Sequence, residues 1–105
     1  VAISVTDTEG YLLSIYATNE NAAVRFLHLF DKASAPVNGD TPVAGGIFPI
    51  PAGTANNPGT VVLTSDFFGA GGRRFLLGIA VGISSAEATL TTGTASEHSV
   101  SGSYL

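Results

Sequence analysis

The sequence predicts an all-β domain, an antiparallel β-sandwich or jelly-roll-like barrel of about six to eight short strands. Three observations predict it. Apolar and polar residues alternate at period two, as in Tyr11–Thr18, and only a strand places such residues on opposite faces. Clusters of Gly, Pro and Asn interrupt the apolar stretches at short intervals, which marks turns. No stretch carries apolar residues at helical spacing; the closest, Ala22–Lys32, is rich in β-branched and aromatic residues and favours strand.

The elements follow in chain order. Tyr11, Leu13, Ile15 and Ala17 are expected on one face of a first strand, with Leu12, Ser14, Tyr16 and Thr18 on the other. Asn19-Glu20-Asn21 supplies a turn, because Asn bonds its own main chain. A second strand runs from Ala23 to Asp31, with Val24, Phe26, His28 and Phe30 on one face and Arg25, Leu27 and Leu29 on the other. Both faces are largely apolar, so both are expected to be covered. Lys32 to Pro42 reads as a loop. Ile47–Pro51 is extended, and its two prolines place it at a sheet edge or a bulge. After the Asn56–Gly59 turn, Thr60–Phe68 is the next strand. Gly69–Gly72 is a flexible connection into an apolar strand at Phe75–Ser84. Ala86–Ser96 is a small-residue region with Thr89–Thr91 as a candidate short strand, and His98–Leu105 forms the last strand, with Val100, Gly102 and Tyr104 in alternation.

Residues 1–105 form one domain, with no internal repeat and no linker. Charged residues are 11% of the chain, against about 25% in an average soluble protein. Ser, Thr, Asn, Gly and Ala must then make up much of the surface. Such a surface suits a subunit partly covered by copies of itself or by a host assembly. Net charge is −4, and the basic residues Arg25, Lys32, Arg73 and Arg74 form no stripe, which argues against direct nucleic-acid binding. With no cysteine, disulfides and thiolate metal sites are excluded. The longest apolar run, Phe75–Ile83, is too short to cross a bilayer as a helix, so no membrane partner is expected. No basic segment followed by an apolar one opens the chain, and Val1 suggests a trimmed or processed start.

The same residues offer no constellation for catalysis. His28 and His98 sit in no ligand-spaced motif, and are expected on a strand face and in a solvated position respectively. The carboxylates are scattered; Asp31 and Asp40 bracket a loop and are expected to bond amides within it. No Gly-x-Ser-x-Gly elbow is present. Gly69–Gly72 followed by Arg73-Arg74 has the look of an anion cradle, but a phosphate loop must open a helix, and a strand follows. The chain is therefore read as a non-enzyme without metal or other cofactor. Most aromatics alternate with other apolar residues and read as core, whereas Tyr16 and either Phe26 or Phe30 are expected to be exposed. Exposed aromatics and arginines anchor interfaces. The candidate interface residues are Tyr16, Phe26, His28, Phe30, Arg73 and Arg74, with the outer face of residues 24–30 at its centre.

Three segments carry a resemblance. Gly10-Tyr-Leu-Leu-Ser-Ile-Tyr-Ala-Thr-Asn19, then Ala22-Ala-Val-Arg-Phe-Leu-His-Leu-Phe-Asp-Lys-Ala33, then Ala35-Pro36 with Asp40-Thr-Pro-Val43, resemble a small β-domain of tailed-bacteriophage virion proteins. Phe75-x-x-Gly-Ile-Ala-Val-Gly-Ile83 fits the same pattern, so the resemblance spans roughly residues 10–95. It implies a capsid decoration (cement) protein on the outer surface of the virion head, contacting the major capsid protein across capsomer junctions, as a homotrimer. The chain departs from the pattern at Gly69–Arg74, and the pattern carries no catalytic residues. The other reading is a carbohydrate- or receptor-binding sandwich of a tail fibre or spike, with Tyr16 or Tyr104 stacking on the ligand.

Overall fold

The computed structural model describes residues 2–93 and 97–105. Within them lie strands β1 (Ala2–Thr6), β2 (Gly10–Asn19), β3 (Arg25–Asp31), β4 (Ile47–Ile50) and β5 (Gly59–Leu63), one helical turn α1 (Ser65–Phe68), and strands β6 (Arg73–Phe75), β7 (Ile79–Ser84) and β8 (His98–Tyr104). They form two antiparallel sheets, giving the all-β sandwich that the alternation predicts. The first sheet has the order β1-β7-β3-β4. In the second, β2 is central: β8 runs along one side, while β5 and β6 lie end to end along the other, pairing with Ile15–Asn19 and Gly10–Leu12.

The core lies between the sheets. Leu27 and Leu29 of β3, Val81 and Ile83 of β7, and Ile50 of β4 face Leu12, Ile15 and Ala17 of β2, all essentially out of water. Each large aliphatic group contributes about 1.5–3 kcal/mol by this burial. The β4 edge position agrees with the reading of its prolines.

Four local expectations are corrected. In β2, the register against β8 shifts between Leu12 and Ser14. This bulge spends one residue, Leu13, without an opposite partner, and so reverses the parity of the strand. Leu12 therefore faces the core with Ile15 and Ala17, while Tyr11, Ser14, Tyr16 and Thr18 face outward. The Phe75–Ser84 run is not one strand. Phe75 ends β6 in the second sheet and Ile79 begins β7 in the first, so the chain changes sheets at Leu76–Gly78. The Asp31 carboxylate fixes that crossing by accepting the N–H groups of Leu76 at 3.0 Å and Leu77 at 2.7 Å. Gly78 passes so near Lys32 and Thr6 that a Cβ would come within 2.6 Å of either carbonyl oxygen.

Third, Thr60–Phe68 is strand only to Leu63; the N–H groups of Phe67 and Phe68 return to the Thr64 carbonyl and form α1. The polar Ser65-Asp66 pair breaks the alternation there, and Ser and Asp favour such turns. Fourth, Thr89–Thr91 forms no strand, and only an isolated bridge joins Ser84 to Thr92. The Thr94–Ser96 part of the small-residue region lies outside the described residues. An additional strand, β1, precedes those expected from the sequence.

Candidate interaction surface

The outer face of the second sheet is built of hydroxyls around Tyr16. Because the β2 bulge turns Tyr16 outward, its ring lies between Val62 of β5 and Ser101 of β8 and is 40% exposed. On either side, Ser14 bonds Ser103 at 2.8 Å and Thr18 bonds Ser99 at 2.5 Å. Such cross-strand hydroxyl pairs are each worth about 0.2–1 kcal/mol. Their larger effect is to hold β2 and β8 in register on either side of Tyr16, on a stretch of the face that carries no charge.

The paired arginines part company at β6, because consecutive strand residues point to opposite faces. Arg74 lies opposite Tyr11 on the outer face and donates from Nε to Glu9 at 2.6 Å, an exposed pair that contributes little to stability. Arg73 points away, donating to the Ala44 carbonyl at 2.8 Å with its guanidinium 5.7 Å from the Phe75 ring centroid. The two cations therefore do not converge, and β6 rather than a helix follows Gly69–Gly72.

The three β3 candidates lie elsewhere. His28 and Phe30 are buried, and Phe26 is half-buried. Their face is covered by the chain's own segment after β7, where Leu90 packs on Phe30 and Ala80. Ser84 organises this cover: its hydroxyl accepts the N–H groups of Ala86 at 3.0 Å and Thr91 at 2.9 Å, and lies 2.7 Å from the Ala86 carbonyl. His28 and Phe30 are thus interior, and only the start of this face, with Val24 46% exposed and Phe26 half-buried, reaches the surface, which moves the candidate interface to the second sheet. Both faces of β3 are covered, as its two apolar faces predict.

His98, expected in solvent, is also buried, its exposure only 8%. Among the described residues, neither histidine has a hydrogen-bond partner for a ring nitrogen. Burial lowers the pKa of each; at His28 the Glu87 backbone counteracts this in part, without reaching hydrogen-bonding geometry. Burial thus favours the neutral form of each ring over the protonated form in the folded state. For a histidine so depressed, the unfolded chain binds more protons, so stability falls as pH drops below the ordinary value of 6.5 and levels off below the folded pKa. Thermal melting is expected to move down between pH 7.5 and pH 5, in pH steps that span the ordinary histidine value. His28→Leu should remove part of that slope without loss of stability at neutral pH, since it replaces an unpartnered buried ring by an apolar group. An unchanged slope in His28→Leu would show that His28 does not carry it.

Two of the carboxylates, Asp31 and Asp40, hold loops in place. Burial opposes ionisation of Asp31, but the N–H groups of Leu77, Leu76 and Gly78 outweigh it and hold the carboxyl below its ordinary value. Asp40 is held down by Lys32, at 2.7 Å, and by the Val37 N–H. Asp40 thus bonds within its loop as expected, whereas Asp31 reaches a different connection. Among the described residues, no three His, Cys, Asp or Glu side chains gather as a metal site, and no helix is long and apolar enough to cross a membrane.

One surface feature escapes the sequence reading. Leu76 and Leu77 are 60% and 64% exposed, displayed by the amides that Asp31 holds. In sequence they continue an apolar run; only the Gly78 break hints that they leave it. Comparison with family models, with curated proteins and with solved structures finds no match.

Proposed function

We propose that the chain is a non-catalytic virion structural protein, a capsid decoration (cement) protein that binds the outer head surface of a tailed phage and stabilises capsomer junctions through the major capsid protein. The observation that carries this reading is the uncharged Ser/Thr face around the exposed Tyr16. A partner covering it desolvates no unpaired charge, and an exposed aromatic at its centre is a suitable anchor. The low charge of the whole chain and the resemblance over residues 10–95 support the same role.

The test is addition of the purified chain to undecorated capsids, read as bound copies per particle by native mass. Tyr16→Ser is expected to weaken binding about ten-fold or more. Its melting temperature should stay close to that of the parent, since the ring is at the surface. Absence of binding by the parent chain would overturn the reading. A second reading is favoured by the position of Tyr16 beside Ser101: an aromatic face flanked by hydroxyls also suits a sugar ring. Binding on a glycan array that Tyr16→Ser abolishes, with no uptake by capsids, would select it.

A further inference from the structure

We propose that the open side of the sandwich, where β1 and β8 form the edges of opposite sheets, takes a second copy of this chain about a two-fold axis. Among the described residues β1 pairs only with β7, and β8 only with β2. Each strand therefore presents a free row of backbone donors and acceptors. Between the two edges lies a cavity of about 230 Å³, with Ile3 and Val5 of β1 on one side, Leu12 and Ile15 of β2 as its floor, and Val100 and Tyr104 of β8 on the other side. Ile3 and Tyr104 line it yet are 41% and 50% exposed. The gap on the other side of the sandwich is sealed by Phe48 and Phe67 in edge-to-face contact at 5.1 Å and Phe67 and Phe68 at 5.3 Å, although the outer side of Phe67 remains 55% exposed.

Edge strands are ordinarily protected by charges, prolines or bulges. Here β1 has a bulge between Ser4 and Thr6, but neither strand contains a Lys, Arg, Asp, Glu or Pro, and residues 99–103 read Ser-Val-Ser-Gly-Ser. The occupant follows from the arrangement of these edges. A rotation of 180° about an axis normal to the sheets sets β8 antiparallel to its own copy and, in the same operation, β1 antiparallel to its own copy. A single strand of another protein pairs with one edge; a second copy covers both and closes the cavity against its equivalent. With the axis at Ser101, β8 is self-complementary: Ser99 lies opposite Ser103, and Val100 opposite Gly102, of the partner subunit. No like charges meet, and the hydroxyl row that includes the Ser14–Ser103 bond continues across the junction. This two-fold pair differs from the three-fold assembly implied by the phage resemblance, and it stands without the capsid reading.

Residues directly opposite in an antiparallel ladder have Cα atoms about 4.5–5.5 Å apart, within the span of a disulfide. The chain has no cysteine, so Ser101→Cys introduces a single thiol on the axis. The parent chain is expected to sediment as a dimer, and Ser101→Cys to become a covalent dimer on mild oxidation. Thr64→Cys, exposed on the sealed side, should not cross-link under the same conditions. Ser101→Lys opposes two ammonium groups and should weaken dimerisation about ten-fold or more, with its far-ultraviolet circular dichroism unchanged. A parent chain that sediments as a monomer across the concentration series would overturn the proposal, as would equal cross-linking at residues 64 and 101, or an assembly indifferent to Ser101→Lys. Dimers that fail to bind capsids would count against the capsid reading alone.

Discussion

Asn19→Leu is expected to lower the unfolding free energy by about 3–5 kcal/mol, a large share of what a domain this size possesses. Asn19 closes β2 and is completely buried. Its side-chain amide donates to the Ala23 carbonyl at 2.9 Å and the Pro51 carbonyl at 3.1 Å, and its oxygen accepts the Asn21 N–H at 2.9 Å. One side chain thus ties the β2–β3 turn to the end of β4. Leucine has a similar volume but leaves three main-chain groups without partners, each costing about 1–3 kcal/mol when kept from water. Asn19→Asp separates this account from a packing account. It keeps the shape but turns an acceptor towards two carbonyl oxygens, and should be at least as damaging at neutral pH. Its defect should shrink as pH falls and the buried carboxyl protonates. Urea unfolding of the parent and both variants at two pH values measures this. A loss below about 1 kcal/mol in Asn19→Leu would mean that the carbonyls find other partners.

Gly59→Ala should cost about 3 kcal/mol, although alanine is a modest change elsewhere. Gly59 opens β5, where the link from β4 folds back on itself. A Cβ there would overlap the Pro51 carbonyl oxygen and approach its carbonyl carbon to 2.6 Å. Both obstacles are backbone, so no side chain can move aside. Gly71→Ala is the matched control: a Cβ at Gly71 meets nothing within 4 Å. That substitution should be neutral or stabilising by up to about 1 kcal/mol through the unfolded state. Equal effects in the two variants would contradict the close approach at Gly59.

The strands that the sequence made legible are those whose signal is local. β2, β3, β4 and β8 announce themselves by alternation and by the turns between them, and the Asn19–Asn21 turn follows from what Asn does to its own main chain. The misplaced features depend on distant partners. The parity of β2 hinges on a bulge formed against β8, and nothing within Tyr11–Thr18 marks Leu13 as the residue to be skipped. The break in the Phe75–Ser84 run is fixed by Asp31, a residue 45 positions away from Leu76. The outer face of β3 looks like an interface in sequence because it is apolar, yet Leu90 and its neighbours cover it, and composition does not reveal whether a cover is one's own chain or another. For the same reason Tyr16 could be placed at the surface whereas His28 and Phe30 could not.

The position of β8 also bears on how the chain folds. β2 lies near the beginning of the sequence, yet one whole side of it is completed by residues 98–104, and the Ser14–Ser103 bond spans 89 positions. Closing so long a loop is entropically slow, and proteins dominated by such pairings fold in milliseconds to seconds. During synthesis, β2, β5 and β6 can associate while the β8 side of β2 still waits for its strand. In that interval β2 carries a naked edge beside Leu12 and Ile15, the kind of surface on which nascent chains aggregate. Rapid synthesis of residues 98–104, or a factor that shields the β2 edge until they arrive, would shorten that exposure.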